Sequence, residues 1–247
     1  MTRPSLTALP VYNEVDHVTA AVDGALSYSD EVLVVDDGST DGTSGLLAAR
    51  HDIHLVSHRH NRGYGAALRS AFQFAVGGEY EILVTIDCDG QHQPQLIPRF
   101  VEAAASSDMV SGSRYLREFP GDNDPPEDRR RINEQITAEL NRRLGLNLTD
   151  AFCGFKAYRV EALRTIEFQE DGYAMPLEFW ARAAECGLRI VELGVPLIYL
   201  DESRSFGGSL DDAERRLEVY RRVLDRALGS PRGGTLAQVP YSPCEGP

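Results

Sequence analysis

The sequence lacks an excess of basic residues. Its 247 residues include 38 acidic and 25 basic side chains, which give a formal charge of −13. This balance disfavours nucleic acids and anionic membrane surfaces as partners bound through overall charge, although it is compatible with a local basic patch. The length suits one large domain, or one domain with a small appendage, and allows a sizeable core.

Long apolar runs and paired cysteines are also missing. No stretch approaches the roughly 20 apolar residues that a membrane-spanning helix needs, and the N-terminus shows no apolar signal core. The four cysteines include no Cys-x-x-Cys pair, and their spacing does not indicate a zinc site. These absences predict a cytoplasmic protein with reduced thiols. A lipid substrate would then be met from the aqueous side, through a peripheral membrane contact.

Short apolar runs alternate with segments of helical periodicity in the first half of the chain. The pattern predicts strands at residues 6–9, 32–35, 54–56 and 82–86, and helices at residues 14–27, 41–47 and 63–76. Fully apolar strands separated by helices are typical of βαβ units. The predicted fold class is therefore α/β, with a central, mostly parallel sheet flanked by helices. Ligands of such sheets bind beyond the carboxyl ends of the strands.

The second half of the chain is less regular. It predicts strands at residues 109–114 and 189–195, and helices at residues 129–144, 174–186 and 210–228. A segment rich in Pro, Gly and Asp, residues 119–128, is predicted to be a mobile loop. We expect a single domain over residues 1–228. Little periodicity follows, so residues 229–247 are predicted to be a disordered tail.

The sequence TIDCDGQHQP follows the strand predicted at residues 82–86. Residues two apart in an extended segment face the same side, so Asp87 and Asp89 share a face and Cys88 points away. Two close carboxylates suit a hard divalent cation, to which Gln91 could add an oxygen and His92 a nitrogen. A turn in which an aspartate caps the backbone would account for the same residues.

Polar residues also follow two other predicted strands. Residues 10–14 (PVYNE) follow the first, and residues 35–42 (VDDGSTDG) end the second with Asp36 and Asp37. These carboxylates could accept hydrogen bonds from a nucleotide, or they could cap a turn before a helix. A third motif, residues 61–67 (NRGYGAA), has small residues that would admit an anion at a helix start or pack tightly. The three polar clusters that follow strands, at residues 10–14, 36–37 and 87–89, indicate one common crevice.

Taken in order, these motifs resemble family 2 glycosyltransferases of the GT-A fold. The likeness continues through residues 112–115, 149–158 and 204–209, so it covers residues 5–210. Within that family the sequence is most similar to dolichol- and polyprenyl-phosphate mannosyl- and glucosyltransferases. The resemblance implies a Rossmann-like nucleotide-diphospho-sugar transferase fold. It also implies an inverting transfer of a hexose from GDP-mannose or UDP-glucose to a polyprenyl or dolichyl phosphate, with Mg²⁺ or Mn²⁺.

The resemblance also implies roles for individual residues. For the donor nucleotide it implies Pro10, Tyr12, Glu14 and Asp37, with Asp36 and Cys88 in the same donor-binding segments. For the metal and diphosphate it implies Asp87, Asp89 and Gln91, with Asp89 also acting in catalysis. Arg114 corresponds to a basic residue near the reacting phosphates. One of Arg129, Arg130 and Arg131 corresponds to a contact with the acceptor phosphate, with Arg130 and Arg131 preferred, and Arg204 to a closing loop.

Some positions depart from the family pattern. Cys88 stands where a small alanine is usual, Asp171 where the subgroup often has a lysine, and residues 119–128 are acidic. The last two bear on the acceptor, which could instead be a soluble molecule or a saccharide. A neutral hydroxyl acceptor needs a carboxylate base, and Asp150 is the candidate, with capping as its alternative role.

Two other functions are alternatives to glycosyl transfer. A sugar nucleotidyltransferase is disfavoured, because no basic glycine-rich loop is seen near the N-terminus. A non-catalytic nucleotide-sugar-binding protein is the remaining alternative.

Overall fold

The computed structural model describes residues 5–200 and 208–229. Its strands are β1 Ser5–Val11, β2 Glu31–Asp36, β3 His54–Ser57, β4 Ile82–Thr85, β5 Met109–Ser113, β6 Lys156–Arg159 and β7 Ile190–Gly194. Its α-helices are α1 Val18–Leu26, α2 Thr43–Ala48, α3 Tyr64–Gly77, α4 Ile97–Ala104, α5 Glu127–Leu144, α6 Val160–Leu163, α7 Met175–Glu185 and α8 Ala213–Gly229. Short 3₁₀ turns lie at Pro94–Leu96 and Gly208–Asp211.

The strands form one sheet in the order β3-β2-β1-β4-β6-β5-β7. Strand β6 runs antiparallel to both of its neighbours, and the other pairs are parallel. The predicted α/β class with a mostly parallel sheet is confirmed, although β6 has no counterpart in the sequence prediction. The chain leaves β1 for β2 and β3 on one side and returns to β4 on the other. The crevice at the carboxyl ends of β1 and β4 is therefore a topological switch point, where ligands bind.

Both faces of the sheet are covered, which explains the continuous apolar strands. Alternate side chains of each strand enter different core clusters: Leu6 and Leu33 pack beneath α3, α5, α7 and α8. Leu9 and Val34 pack beneath α1, α2 and α4. The carboxyl edge of the sheet is left accessible between these layers, and the polar clusters of the sequence follow the strands there.

Helix α1 begins at Val18, four residues later than predicted. Asn13 adopts a positive φ of 54°, which interrupts helical geometry before this point. The backbone N–H groups of residues 13–15 donate to side chains of the loop after β2, namely Ser39, Thr43 and Asp41. These bonds hold the chain after β1 against the chain after β2, so two of the polar clusters form one rigid rim.

Helix α5 confirms the stop predicted at Gly145, which has a φ of 67°. The preceding loop is tied to the segment after β7, because Asn123 donates to the Tyr199 carbonyl and accepts from its N–H. Apart from Gly229, the predicted tail at 229–247 lies outside the described residues, and the domain boundaries stay a prediction. Over the described ranges, no helix is both long and apolar enough to cross a membrane.

Candidate active site

A cavity of about 540 Å³ opens at the carboxyl edge of the sheet. Its acidic end contains most of the predicted donor and metal residues: Pro10, Tyr12, Glu14, Asp37, Asp87, Cys88, Asp89 and Gln91. Its other end is lined by arginine and aromatic side chains: Arg114, Tyr115, Arg129, Phe152, Tyr199, Arg216 and Tyr220. The crevice predicted from the strand-end clusters thus exists. Burial and the charges of Asp87, Glu14 and Asp37 raise the pKa of Tyr173, whereas burial raises the pKa of Tyr220 against the charges of Arg216 and Arg129. The carboxylates and the arginines therefore occupy different ends of the cavity.

Asp87 is held in place from three sides. The Tyr64 hydroxyl donates to its Oδ1 at 3.1 Å, and His92 Nε2 lies 3.1 Å from its Oδ2. On the third side is Gly154, where an added Cβ would stand 2.0 Å from Oδ2. Burial alone would raise the pKa of Asp87, but the hydrogen bond and charge of His92 and the Tyr64 bond lower that pKa below its ordinary value. Asp87 is therefore ionised in a fixed position.

Asp89 combines the two roles that the sequence left open. The Gln91 backbone N–H donates to its Oδ1 at 3.0 Å, and Gln91 Nε2 donates to its Oδ2 at 2.9 Å. Asp89 thus caps a turn while still lining the cavity. Gln91 acts on Asp89 through its amide nitrogen, so its metal role stays a prediction. Cys88 packs in the core, as expected for a side chain pointing away from the carboxylates.

Few side chains at the acidic end could bind a metal ion. Throughout residues 5–200 and 208–229, no three His, Cys, Asp or Glu side chains form a cluster that could hold a metal. Two cavity-lining carboxylates nonetheless fit Mg²⁺ or Mn²⁺ bound with a diphosphate, because Mg²⁺ is usually bound by one or two carboxylates together with substrate phosphates. The fixed position of Asp87 against Gly154 supports that fit.

Asp37 organises the loop that leads into α3. Its carboxylate accepts from the N–H groups of Arg62 at 3.0 Å and Gly63 at 2.7 Å, and lies 2.6 Å from His58 Nδ1. It is buried and lines the cavity. Asp36 is different: it accepts from the Ser39 N–H and the Ser44 hydroxyl within its own turn. The capping alternative therefore describes Asp36 better than a ligand contact does.

The glycines of the motif at residues 61–67 serve close packing. An added Cβ would stand 2.4 Å from the Asp171 carbonyl oxygen at Gly63, and 2.5 Å from the Glu170 carbonyl oxygen at Gly65. The rings of Tyr64 and Tyr173 stack with centroids 5.8 Å apart. The tight-packing alternative is the one these contacts support. Tyr64 is brought by this packing to Asp87.

Half-buried Arg114 and fully buried Asp150 form a bidentate pair at the other end of the cavity. Arg114 Nε donates to Asp150 Oδ2 at 2.7 Å and Nη2 to Oδ1 at 2.9 Å. Asn133 Nδ2 and the Phe152 N–H also donate to Oδ1, at 2.7 and 3.0 Å. Burial alone would raise the pKa of Asp150, which is 0% exposed, but the Arg114 charge and these hydrogen bonds hold that pKa well below its usual range.

These contacts argue against Asp150 as a general base, and the expectation is corrected. Its oxygens are occupied, its affinity for a proton is lowered, and it is absent from the lining of the cavity. Asp150 instead orients Arg114.

The predicted acceptor arginines differ in where they lie. Arg130 and Arg131 are both exposed and do not line the cavity, and Arg130 pairs with Glu134 at 3.0 Å. Arg129 is the member of the predicted arginine trio that faces the cavity. Arg204 lies outside the described residues.

Two lining residues of α8, Arg216 and Tyr220, were missed by the sequence analysis. Both are buried, 3% exposed, and lie four residues apart on one face of the helix. The remaining buried positions of α8 are Val223, Leu224 and Ala227. An arginine on this otherwise apolar stripe is the signal that could have identified Arg216, since an arginine is rarely fully buried unless it is paired.

Comparison with known proteins identifies the family. The sequence model described as "Glycosyl transferase family 2" matches residues 7–167, which includes both acidic clusters and the Arg114–Asp150 pair. The chain belongs to glycosyltransferase family 2. This glycosyltransferase is 35% identical over 222 residues to the undecaprenyl-phosphate mannosyltransferase of Micrococcus luteus, covering 84% of this chain and 90% of that protein. It is 32% identical to the polyprenol monophosphomannose synthase of Mycolicibacterium smegmatis, covering 92% and 91%.

Solved structures support the predicted GT-A-like fold. Glucosyl-3-phosphoglycerate synthase of Mycobacterium tuberculosis, in complex with Mn²⁺, UDP and glucosyl-3-phosphoglycerate, has a TM-score of 0.70 at 21% identity. The match covers 93% of this glycosyltransferase and 81% of that chain. The same synthase has been solved with Mg²⁺ and UDP. At this identity the likeness shows the fold alone.

Proposed function

We propose that this glycosyltransferase transfers a hexose from a nucleoside diphosphate sugar to a polyprenyl phosphate, with inversion at the anomeric carbon. The observation that carries the proposal is the polarity of the cavity, which has carboxylates at one end and arginines at the other. Relatives named undecaprenyl-phosphate mannosyltransferase and polyprenol monophosphomannose synthase, aligned over most of this chain, support the same acceptor class.

The acidic end suits the donor. Tyr12, Glu14 and Asp37 stand where a nucleoside would bind, and Asp87 and Asp89 would hold a divalent cation against the diphosphate. That cation would act as a Lewis acid and neutralise the charge that develops on the leaving group. Tyr64 and His92 keep Asp87 in position and ionised, while Gln91 restrains Asp89. The chain thus fixes the carboxylate geometry before the donor arrives.

The arginine end suits an acceptor that is already an anion. A lipid phosphate needs no general base, which agrees with the occupied and weakly basic Asp150. It needs cations that bind it and direct one oxygen toward the anomeric carbon. Arg114 and Arg129 line that end, and the Arg129 guanidinium lies 5.8 Å from the centre of the Tyr199 ring. We assign Arg129 to acceptor binding and Arg114 to orientation of the reacting phosphate.

The test measures sugar transfer by the purified full-length chain. Radiolabelled GDP-mannose or UDP-glucose is supplied with undecaprenyl phosphate in detergent, with Mg²⁺, Mn²⁺ or EDTA, and label is counted in the organic phase. We expect lipid-linked product with at least one donor, abolished by EDTA. Label that passes only to water-soluble acceptors would refute the lipid-phosphate assignment. Activity undiminished in EDTA would refute the metal assignment.

Comparing variants of two neighbouring arginines distinguishes a specific acceptor site from a general effect of surface charge. Arg129→Ala removes a cavity-lining cation, whereas Arg130→Ala removes an exposed one paired with Glu134. We expect the first to raise the KM for the polyprenyl phosphate at least tenfold, since a charge-assisted hydrogen bond to phosphate is lost. The second should change that KM less than twofold. Equal effects would contradict the assignment.

A further inference from the structure

Helix α8 is joined to helix α5 by ion pairs. Near its start Arg216 pairs with Asp128, in the first turn of α5. Farther along α8, Arg221 pairs with Glu139 of α5, and Asp225 pairs with Arg143 of α5. The family match ends at residue 167, so none of these α8 contacts is assigned by it. The contacts of α8 itself are therefore the basis for inferring its role in the reaction.

The Arg216–Asp128 pair differs from the others in its surroundings. Arg216 is 3% exposed, and its two terminal nitrogens are both engaged. Nη2 donates to Asp128 Oδ2 at 2.5 Å, and Nη1 donates to the Leu210 carbonyl at 2.9 Å. The guanidinium thus joins the chain just before α8 to the start of α5, and it lines the cavity. The Glu139 pairs lie eleven positions along α5, about 16 Å away.

Asp128 immediately precedes Arg129, the arginine that the proposed function assigns to the acceptor phosphate. The first turn of α5 follows a loop, and helix ends fray unless they are held. Fixing the side chain of Asp128 fixes the direction in which the next residue leaves the helix. We propose that Arg216 and Asp128 are positioning residues, which hold the first turn of α5 so that Arg129 faces the acceptor phosphate. This inference rests on the proposed function.

The pair belongs to acceptor recognition and not to the donor site. The hydrogen bonds of Asp87 and Asp37, at the acidic end, come from α3 and from the loops after β3 and β4. Gly154, which packs against Asp87, lies just before β6. None of those contacts involves α8 or the first turn of α5. Loosening Asp128 should therefore weaken binding of the acceptor while leaving binding of the donor intact. A purely structural role would lower both together with the stability of the protein.

The experiment compares Asp128→Asn with Glu139→Gln in the full-length enzyme. Each change removes one carboxylate charge that joins α5 to α8, at opposite ends of the contact. We expect Asp128→Asn to raise the KM for polyprenyl phosphate about tenfold, with the donor KM unchanged and kcat within threefold. Glu139→Gln should change no kinetic constant more than twofold. Arg216→Lys, which keeps the charge but loses the two-armed contact, should resemble Asp128→Asn.

A double-variant cycle with Arg129→Ala identifies the route of the effect. If Asp128 acts through Arg129, Asp128→Asn should have no further effect on the acceptor KM once Arg129 is alanine. Independent, multiplying effects would overturn the positioning role. So would Glu139→Gln matching Asp128→Asn, because the effect would then be general loosening of α8. Circular-dichroism melting of each variant shows whether it is folded at the assay temperature.

The same data separate this inference from the proposed function. If Arg129→Ala alone leaves the acceptor KM unchanged, the acceptor assignment of the proposed function has failed. If Arg129→Ala raises that KM and neither Asp128→Asn nor Arg216→Lys does, the acceptor site stands and the positioning role is refuted.

Discussion

Replacing Gly154 by alanine should disable the proposed metal and diphosphate site without unfolding the protein. The added Cβ would stand 2.0 Å from Asp87 Oδ2, 2.5 Å from its Cγ and 2.6 Å from its Oδ1. A carbon and an oxygen in contact are normally about 3.3 Å or more apart, so Oδ2 would have to move by about 1.3 Å. The backbone is restrained from yielding instead, because the Gly154 carbonyl accepts from the Thr85 hydroxyl at 3.0 Å.

A shift of that size is large for catalysis and moderate for stability. Ligands of Mg²⁺ lie at about 2.0–2.1 Å in a demanding octahedral geometry, and a displacement of about 1 Å can cost about 100-fold in rate. We therefore expect kcat/KM to fall about 100-fold at saturating metal. Overpacking costs about 1–3 kcal/mol, so the melting temperature should fall by a few degrees while the fold is retained.

The assay is donor turnover titrated with Mg²⁺ and Mn²⁺, together with calorimetric binding of the donor. Gly77→Ala is the matched control, because a Cβ there meets nothing within 4 Å. Gly154→Ala with activity within threefold of the parent would refute the reasoning. The double variant Asp87→Ala, Gly154→Ala should be no worse than Asp87→Ala alone, since both changes remove the same ligand.

Two further outcomes follow from the carboxylates of the cavity. Asp89→Ala should abolish metal-dependent donor binding, and unchanged calorimetric binding would contradict the metal role of Asp89. Asp150→Asn breaks one partner of a buried pair and should lower the free energy of unfolding by about 3–5 kcal/mol, checked by urea denaturation. Because the pKa of Asp150 is lowered on folding, its stabilisation is present above the unfolded value near 4 and is lost as pH falls below it. The parent should therefore lose this stability below about pH 4, and pH-insensitive unfolding of the parent between pH 5 and 2 would contradict the sign.

The parts of the site that lie close in sequence were predicted from local patterns. An apolar run followed by Asp-x-Asp-Gly predicts a strand end with exposed carboxylates, whatever the rest of the chain does. Asp87 and Asp89 accordingly line the cavity. The same local reasoning left Asp36 open between a nucleotide contact and a turn cap, and the structure shows it inside a turn. Local pattern identifies a polar strand end but does not tell a capping carboxylate from a ligand.

The parts that depend on distant residues were not predictable in this way. Gly154 meets Asp87 because β6 enters the sheet antiparallel beside β4, and an antiparallel return has no periodic signature in a short strand. Asp150 looked like a base because the sequence does not show that Arg114 lies against it. Arg129 could not be told from Arg130 until the direction of α5 was known. Each case is a tertiary contact between residues whose local preferences are neutral.

We infer that Arg114 and Arg129 have different roles in the proposed function. Arg114 gives Nε and Nη2 to Asp150, so much of its charge is offset before any phosphate arrives. What it keeps is a fixed orientation, which favours directing a reacting oxygen over attracting an anion. The proposed function gives attraction of the acceptor phosphate to Arg129, which lines the cavity from the first turn of α5. In the proposed function, a hydrogen-bond donor fixed by Asp150 and a second cavity-lining cation would together bind the incoming lipid phosphate and align it without a base.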